Sequence, residues 1–286
     1  MNARPWRILL DGPGDGARNM AVDGAILRSV EAGNSPPTLR IYGWNPPCVT
    51  LGHFQKPETE LDAEALRERG WEFVIRPTGG RAVLHADEIT YSLAVRRDEA
   101  PWCATLARSH ARIGEAWAEA LKEFTPRLSE GVSPEDLGPN AGPGWPCFAS
   151  ASRAELGHAG RKMAGSAQRR TRGALLQHGS IPLTPRHEHL VDVLRLKPEE
   201  RDSYRDALRR HAISLGEIRD VPADVEAWSR RLAVDFCRAL GVSATQQVVS
   251  PDEAEDARNL AEGHRALQRE FFSRTETTAA GSHAGG

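Results

Sequence analysis

No two cysteines in this chain are spaced for metal binding or redox work. Cys48, Cys103, Cys147 and Cys237 lie far apart without a C-x-x-C pair, which excludes the usual zinc spacings and any disulfide framework. No apolar run approaches the roughly 20 residues that a membrane helix needs. The opening "MNARPWRILLDG" holds only a short apolar stretch and no small-residue cleavage site, so no signal peptide is expected and a cytoplasmic location follows. A large excess of either charge is also missing. The net charge of -2 argues against a nucleic-acid binder, whose domain is normally basic. Neither G-x-x-x-x-G-K-[ST] nor G-x-G-x-x-G occurs, so there is no conventional nucleotide cradle. Lysine is scarce: Lys56, Lys122, Lys162 and Lys197 stand against 33 arginines.

What is present is ordinary for a globular chain, 40% hydrophobic and 27% charged over 286 residues, enough to bury a sizeable core. "RILLD" reads as a first strand. It is followed by the turn-rich "GPGDGAR" and a helix over "NMAVDGAILRSVEAG" that stops at Gly33. "TLRIYGW" and "CVTLGHF" read as strands split by the breaker "NPP". "ELDAEALRERG" is a short polar helix ending at Gly70, and "WEFVIRP" is a strand. Ile89, Tyr91, Leu93 and Val95 alternate with Thr90, Ser92 and Ala94, the pattern of a half-buried strand. Residues 104–124 predict a helix with Leu106, Ile113, Trp117, Leu121 and Phe124 on one stripe. After a breaker-rich loop come two more strands, around "RKMAGSAQ" and "GALLQHGSIPL". Helix then follows helix from about 187 to 273, and residues 274–286 have almost nothing to bury and are expected to be disordered. Strands segregated ahead of helices predict an α+β layer fold, a mixed sheet flanked by helices, with residues 1–273 as one domain.

Three places have the residue types for chemistry. "RPTGGRAVLH" packs Arg76, Gly79, Gly80, Arg81 and His85 beside a strand, where paired glycines let the backbone turn freely and something approach it closely. A glycine pair also occurs in many plain turns. In "GWPCFASASRAELGHAGRKMAGSAQ", Cys147 follows a proline in an irregular loop and Lys162 follows fifteen residues later. A cation beside a thiol favours the thiolate and makes a nucleophile at neutral pH. The alternative is that Cys147 is a small buried hydrophobe, as most free cysteines are. His178 in "LLQHGSIPL" is either a ligand-facing residue or a hydrogen-bonded core histidine. His53 in "TLGHFQ" has a weaker claim than His85. Between Gly160 and His187 there is no acidic residue, while Arg161, Lys162, Arg169, Arg170, Arg172 and Arg186 are basic. That run is either a solvated face or a dock for an acidic partner.

Taken in order, "NMAVDGAIL", "CVTLGHFQ", "RPTGGRAVLHADEITYSL", "CFASASRAELGHAGRKMAGSAQRR" and "GALLQHGSIPL" resemble the lipoate–protein ligase and octanoyltransferase superfamily over about residues 9–185. Within it the chain is most similar to the cysteine-dependent octanoyltransferases. The resemblance implies the sheet fold of the biotin and lipoate protein ligases, with an acyl tunnel beside the glycine turn. It implies transfer of octanoyl from acyl carrier protein to a lysine of a lipoyl domain such as glycine cleavage protein H. Cys147 falls on the family nucleophile and Lys162 on the lysine that activates it. Arg76, Gly79, Gly80, Arg81, His85, Gly165, Ser166, Ala167 and His178 fall on the substrate-binding strands and turns. No ATP, metal or other cofactor, nucleic acid or membrane is implied, and nothing demands more than a monomer. Many relatives carry an aspartate directly after the motif histidine, where this chain has Ala86, with Asp87 one place later. Two rival readings are an ATP-dependent lipoate ligase, with Cys147 a bystander, and a non-catalytic module that binds acyl or lipoyl domains.

Overall fold

The computed structural model describes residues 5–98, 101–124, 156–222 and 224–283. In chain order the elements are β1 (Trp6–Gly14), α1 (Gly16–Glu31), β2 (Thr38–Trp44), β3 (Cys48–Leu51), α2 (Pro57–Glu60), α3 (Ala63–Arg69), β4 (Glu72–Ile75), β5 (Val83–His85), β6 (Glu88–Arg96) and α4 (Leu106–Ala120). They continue with β7 (Gly157–His158), β8 (Arg161–Lys162), β9 (Gly165–Arg170), β10 (Ala174–Pro182), a 3₁₀ turn (Pro185–Asp192), α5 (Pro198–His211), α6 (Leu215–Ile218), α7 (Val225–Leu240), β11 (Ala244–Gln247) and α8 (Pro251–His283). Local chemistry sets several boundaries. Asp15 caps α1 by accepting from the Arg18 N–H, and Asp62 caps α3 by accepting from Glu64 and Ala65. Gly70 and Gly241 end α3 and α7 in the left-handed region, where a side chain would be strained.

The expected mixed sheet is present, six strands in the order β11-β1-β2-β6-β10-β9. β1 runs parallel to both β11 and β2, and the remaining pairings are antiparallel. A second sheet, β4-β3-β5, lies beside it. On one face of the large sheet, α4 and α7 bury Ile41, Tyr91, Leu93, Val95, Trp117 and Phe236 in the largest apolar cluster. On the other face, α1 and α8 cover Leu9, Ala94 and Leu176 with Val22, Ile26 and Ala261. The small sheet has its own core, Val49, Leu51, Phe73 and Leu84, against α3, α5 and Phe271 of α8.

Four sequence expectations change. The alternating strand β6 is buried on both faces from Glu88 to Val95, because its polar positions lie under a covered site rather than under water. Leu106, placed on the helical stripe, is 51% exposed at the first turn of α4. β11 was not foreseen within the helical part: "ATQQ" is polar and mostly exposed, and it becomes a strand by pairing with β1 at the sheet edge. The backbone of α8 continues to His283, over residues expected to lack structure. An alanine- and threonine-rich stretch following a formed helix carries no proline to stop it.

Candidate functional site

Register across the large sheet lines up one transverse row: Tyr42 on β2 pairs with Thr90 on β6, Thr90 with Ser180 on β10, and Ser180 with Gly165 on β9. Above this row the small sheet contributes Thr50, Val83 and His85, and α1 contributes Met20. Between the two sheets lies a narrow cavity whose surface is mainly apolar, with Thr50, Arg76, His85, Thr90, His178 and Ser180 among its lining residues, the mix of apolar wall and few polar groups usual in small-ligand pockets. It spans from Tyr42 and Trp44 to Gly165, Ser166 and Ala167, three strand spacings or about 14 Å. Tyr42, Thr90 and Ser180 are buried and Trp44 at the β2 end is half-buried, whereas at the β9 end all three lining residues, Gly165, Ser166 and Ala167, are half-buried. The β9 end is therefore the more open of the two.

The glycine turn holds itself together more than it lines this cavity. Arg76 is buried, and its guanidinium donates to the carbonyls of Thr50 (2.9 Å), Gly79 (2.9 Å) and Arg81 (2.7 Å). That pins the turn to β3. Gly80 has φ of 100°, and a Cβ built on Gly52 would lie 2.0 Å from the Gly80 carbonyl oxygen. The close approach that "TGGR" allows is thus made in part by the protein's own backbone. Arg76, Val83 and His85 line the cavity, while Gly79 and Gly80 are exposed and Arg81 half-buried outside that lining.

His85 Nδ1 lies 2.7 Å from a Glu88 carboxylate oxygen and its Nε2 2.8 Å from the Thr50 hydroxyl. Its ring stacks on Trp44 at 4.3 Å. Glu88 also accepts from Thr90 and from Ser180 (2.5 Å). The departure after the motif histidine therefore has a structural answer. Ala86 is packed in the apolar cluster of the small sheet, and Asp87 turns outward at φ 49° toward Arg186. Glu88 is the carboxylate that meets the imidazole. Trp44 donates its indole N–H to Thr90 at 2.7 Å, which fixes the far wall.

Beneath the cavity a buried polar network links α1 to the sheet. Asp23 accepts from Arg40 (2.8 Å), Tyr42 (2.9 Å) and Ser92 (2.7 Å). Burial works to raise its carboxyl, but Arg40, His178 and Ser92 hold it below the usual range. His178 Nε2 is 2.7 Å from Thr78 Oγ1, and its Nδ1 faces Asp23 at 3.9 Å. Burial pushes the His178 imidazole down, Asp23 opposes this, and the charge of Arg76 adds to it. These groups are paired as buried charges must be.

At the open end, Lys162 is buried on β8, and its carbonyl accepts from the Ile213 N–H at 2.9 Å. His110 on α4 approaches Ser166 Oγ at 2.9 Å. Burial first, and then the Lys162 ammonium, lower the His110 imidazole below its ordinary value. His110 and Ser166 thus meet at the β9 end, within the electrostatic reach of the Lys162 ammonium. Cys147 lies outside the described residues. Among the described residues no group of three or more His, Cys, Asp or Glu side chains is placed to hold a metal.

The acid-free segment divides rather than forming one face. Arg161 pairs with Glu217 (2.9 Å) and the Ala212 carbonyl, Arg170 donates to Ser109, Gln168 and the Ala104 carbonyl, and Arg186 faces Asp87. Arg169 and Arg172 are exposed.

Sequence reasoning did not single out Asp23, Arg40, Tyr42, Trp44, Thr50, Thr78, Glu88 or His110. A charged residue inside an apolar helix ("MAVDGAIL") and another inside an apolar strand ("TLRIYGW") were a usable signal, since such charges are buried only in pairs. His110 carried none.

With cavity, buried lysine and sheet order in place, comparison with known proteins gives the class. Residues 15–237 match the lipoyl protein ligase A/B catalytic domain, and the chain belongs to that family. Within it, the chain is 40% identical over 261 residues to octanoyltransferase LipM of Kyrpidia tusciae, covering 89% of this chain and 94% of that one. It is 41% identical over 245 residues to octanoyltransferase LipM of Moorella thermoacetica, covering 82% and 89%. Among solved structures, a bipartite lipoate protein ligase from Thermoplasma acidophilum, solved in a study of an archaeal lipoylation system with its E2 lipoyl domain, superposes with a TM-score of 0.72 at 25% identity, over 90% of this chain and 92% of that one. A lipoate-protein ligase A bound with ATP gives 0.69 at 24% identity, over 90% and 94%, which speaks to the fold.

Proposed function

We propose that the protein transfers an octanoyl group from octanoyl-acyl carrier protein to a lysine of a lipoyl domain, such as glycine cleavage protein H, through a thioester on Cys147. The observation that carries the reading is the apolar cavity between the sheets, which reaches half-buried Gly165, Ser166 and Ala167 of β9, three residues on from buried Lys162. The similarity to octanoyltransferases LipM over most of both chains supports it.

The cavity takes the acyl chain with its carbonyl at the β9 end. The Cys147 thiolate, stabilised by the Lys162 ammonium, attacks the thioester carbonyl, and backbone N–H groups near Gly165 and Ser166 receive the oxyanion. The carbon–sulfur bond to phosphopantetheine breaks, its thiolate takes a proton, and the acyl-enzyme remains. The neutral amine of the acceptor lysine then attacks that thioester. An amide forms, the amine proton is lost, and the Cys147 thiolate leaves. Thioester to thioester is close to isoenergetic and thioester to amide is downhill, so the cycle consumes no ATP and uses no metal. The order of events is ping-pong. His85, held by Glu88 and Thr50, and His178, held by Thr78, shape the walls along the chain. Both protein substrates meet the enzyme as a monomer in the cytoplasm, and exposed Arg169 and Arg172 favour acidic partners, an attraction that salt weakens. No helix among the described residues is long and apolar enough to cross a membrane.

The test is intact-protein mass spectrometry after mixing with octanoyl-acyl carrier protein without ATP. The expected result is one octanoyl adduct, removed by hydroxylamine and absent in Cys147→Ala. No adduct, with pyrophosphate released once ATP and octanoate or lipoate are supplied, makes the protein a ligase instead.

A further inference from the structure

Phe54 is 88% exposed, and it stands on a turn built to be rigid. The Gln55 N–H donates to the Gly52 carbonyl, and the Gly52 N–H donates back to the Gln55 side chain at 3.0 Å. The His53 N–H donates to the Thr78 carbonyl at 2.9 Å, and the His53 and Phe54 rings meet edge to face at 4.9 Å. Gly52 lies so close to Gly80 that there is no room for a side chain between them. Thr78 in turn holds His178 in the cavity wall, and His178 pairs with Ala167 at the mouth. The turn thus presents an aromatic ring to solvent and is tied through Thr78 and His178 to the strands that line the acyl cavity.

Next to the turn runs a groove of about 520 Å³ whose lining includes His53, Pro77, Arg169, Arg28, Leu260 and one carboxylate, Glu31, which is bound to the Gly173 N–H, and which shares Met20 and Arg76 with the cavity. Arg169 donates to the Pro77 carbonyl at 3.2 Å, and among the described residues no carboxylate pairs with it. Lys56, two residues beyond Phe54, is exposed. This surface therefore offers an exposed aromatic ring together with two exposed cations, Lys56 and Arg169, the composition of an interaction hot spot for an acidic partner.

Reach decides which partner. An acyl group carried on a long prosthetic arm can be delivered by a protein seated some distance away. An acceptor lysine extends only its four-carbon stem, about 6 Å, beyond its own backbone. Its domain must therefore sit directly on the rim of the mouth.

Resting on the transfer reaction above, we infer that the Phe54 turn is the docking point for the acceptor, a lipoyl-type domain with acidic residues around its target lysine. Phe54 fills an apolar hollow on that domain, and Arg169 and Lys56 face its carboxylates. The turn plays no part in the chemistry at Cys147.

The experiment compares the unaltered protein with Phe54→Ala and Phe54→Tyr, each full length, in two measurements. The first is acyl-enzyme formation from octanoyl-pantetheine, a donor with no protein attached. The second is the KM for apo-lipoyl domain. Phe54→Ala is expected to raise the acceptor KM about 10-fold or more, as loss of a central aromatic anchor does, while acylation from the small donor keeps its rate. Phe54→Tyr, which retains the ring, is expected to stay within about 3-fold of the unaltered KM. An unchanged KM in Phe54→Ala overturns the proposal, and so does a parallel fall in acylation, which marks damage to the cavity. Failure of the unaltered protein to acylate is seen before any variant is made and strikes the transfer reading, whereas the acceptor KM decides the surface on its own.

Discussion

The two faces of strand β6 are built from alternate residues of one nine-residue segment, and they do opposite work. Ile89, Tyr91, Leu93 and Val95 enter the apolar cluster under α4 and α7. Glu88, Thr90 and Ser92 face the other way, to His85, Trp44 and Asp23, and are equally buried. The first face contributes area removed from water, on the order of 25 cal/mol per Å² of apolar surface. The second contributes orientation: each polar group is held by a partner, so the walls of the cavity have one geometry. Period-two alternation signals two environments, and here neither of them is solvent.

The largest effect should come from breaking the polar face. Asp23→Ala leaves the Arg40 guanidinium, whose side chain is fully buried, without its central carboxylate, and it should cost about 3–5 kcal/mol in denaturant unfolding. Arg40 Nε also donates to Asp11 at 2.8 Å, and a loss under about 1 kcal/mol would mean that Asp11 alone holds the charge and that the network is not tightly held. Leu93→Ala on the apolar face should cost about 2–5 kcal/mol through lost transfer and cavity terms. It should leave the turnover of the folded fraction intact, whereas Asp23→Ala should reduce turnover even where the protein remains folded. Equal effects on turnover would erase the distinction between the faces.

A buried ion pair away from the site sharpens the same comparison. Arg7 on β1 donates twice to Glu253 of α8, at 2.8 and 2.6 Å. Burial works to raise the Glu253 carboxyl, but Arg7, Ser250 and Ser35 hold it down to about 2, from an ordinary 4.5. A depressed carboxylate stabilises the fold fully above its unfolded value. That contribution, about 3.5 kcal/mol at about 1.4 kcal/mol per pH unit, should be lost as pH falls from 4.5 toward 2. Unfolding free energy measured across that window should fall less steeply in Glu253→Gln than in the unaltered protein. Identical slopes would show that the pair is not what fastens α8.

The smallest effect concerns the far wall. Trp44 closes the cavity at the β2 end, so Trp44→Ala should shift preference toward acyl chains longer than octanoyl by about 10-fold in competition, the scale of a few methylenes in an apolar pocket. A parallel loss for every chain length would assign Trp44 to structure alone.

Much of this was legible in the sequence. The strand and helix order, the end of α3 at Gly70 and the two strands around Lys162 and His178 follow from periodicity and breakers. Other features follow from pairings that no local pattern carries. β11 is polar and becomes a strand only against β1, and the partner of His85 is Glu88, three residues on, reached because Asp87 adopts a left-handed backbone. The glycine pair was read as a place for ligand, yet at Gly80 the neighbour is Gly52. The basic run from Arg161 to Arg186 read as one feature, but strand alternation and local carboxylates distribute its members among separate structural roles.

The most direct test of the cavity assignment is a crystal structure of the octanoylated enzyme, prepared with octanoyl-acyl carrier protein and trapped before acceptor is added. The chain is expected to run from the β9 mouth at Gly165–Ala167, between the sheets, toward Tyr42 and Trp44. An octanoyl chain lying instead in the groove between α1 and α8 would contradict it.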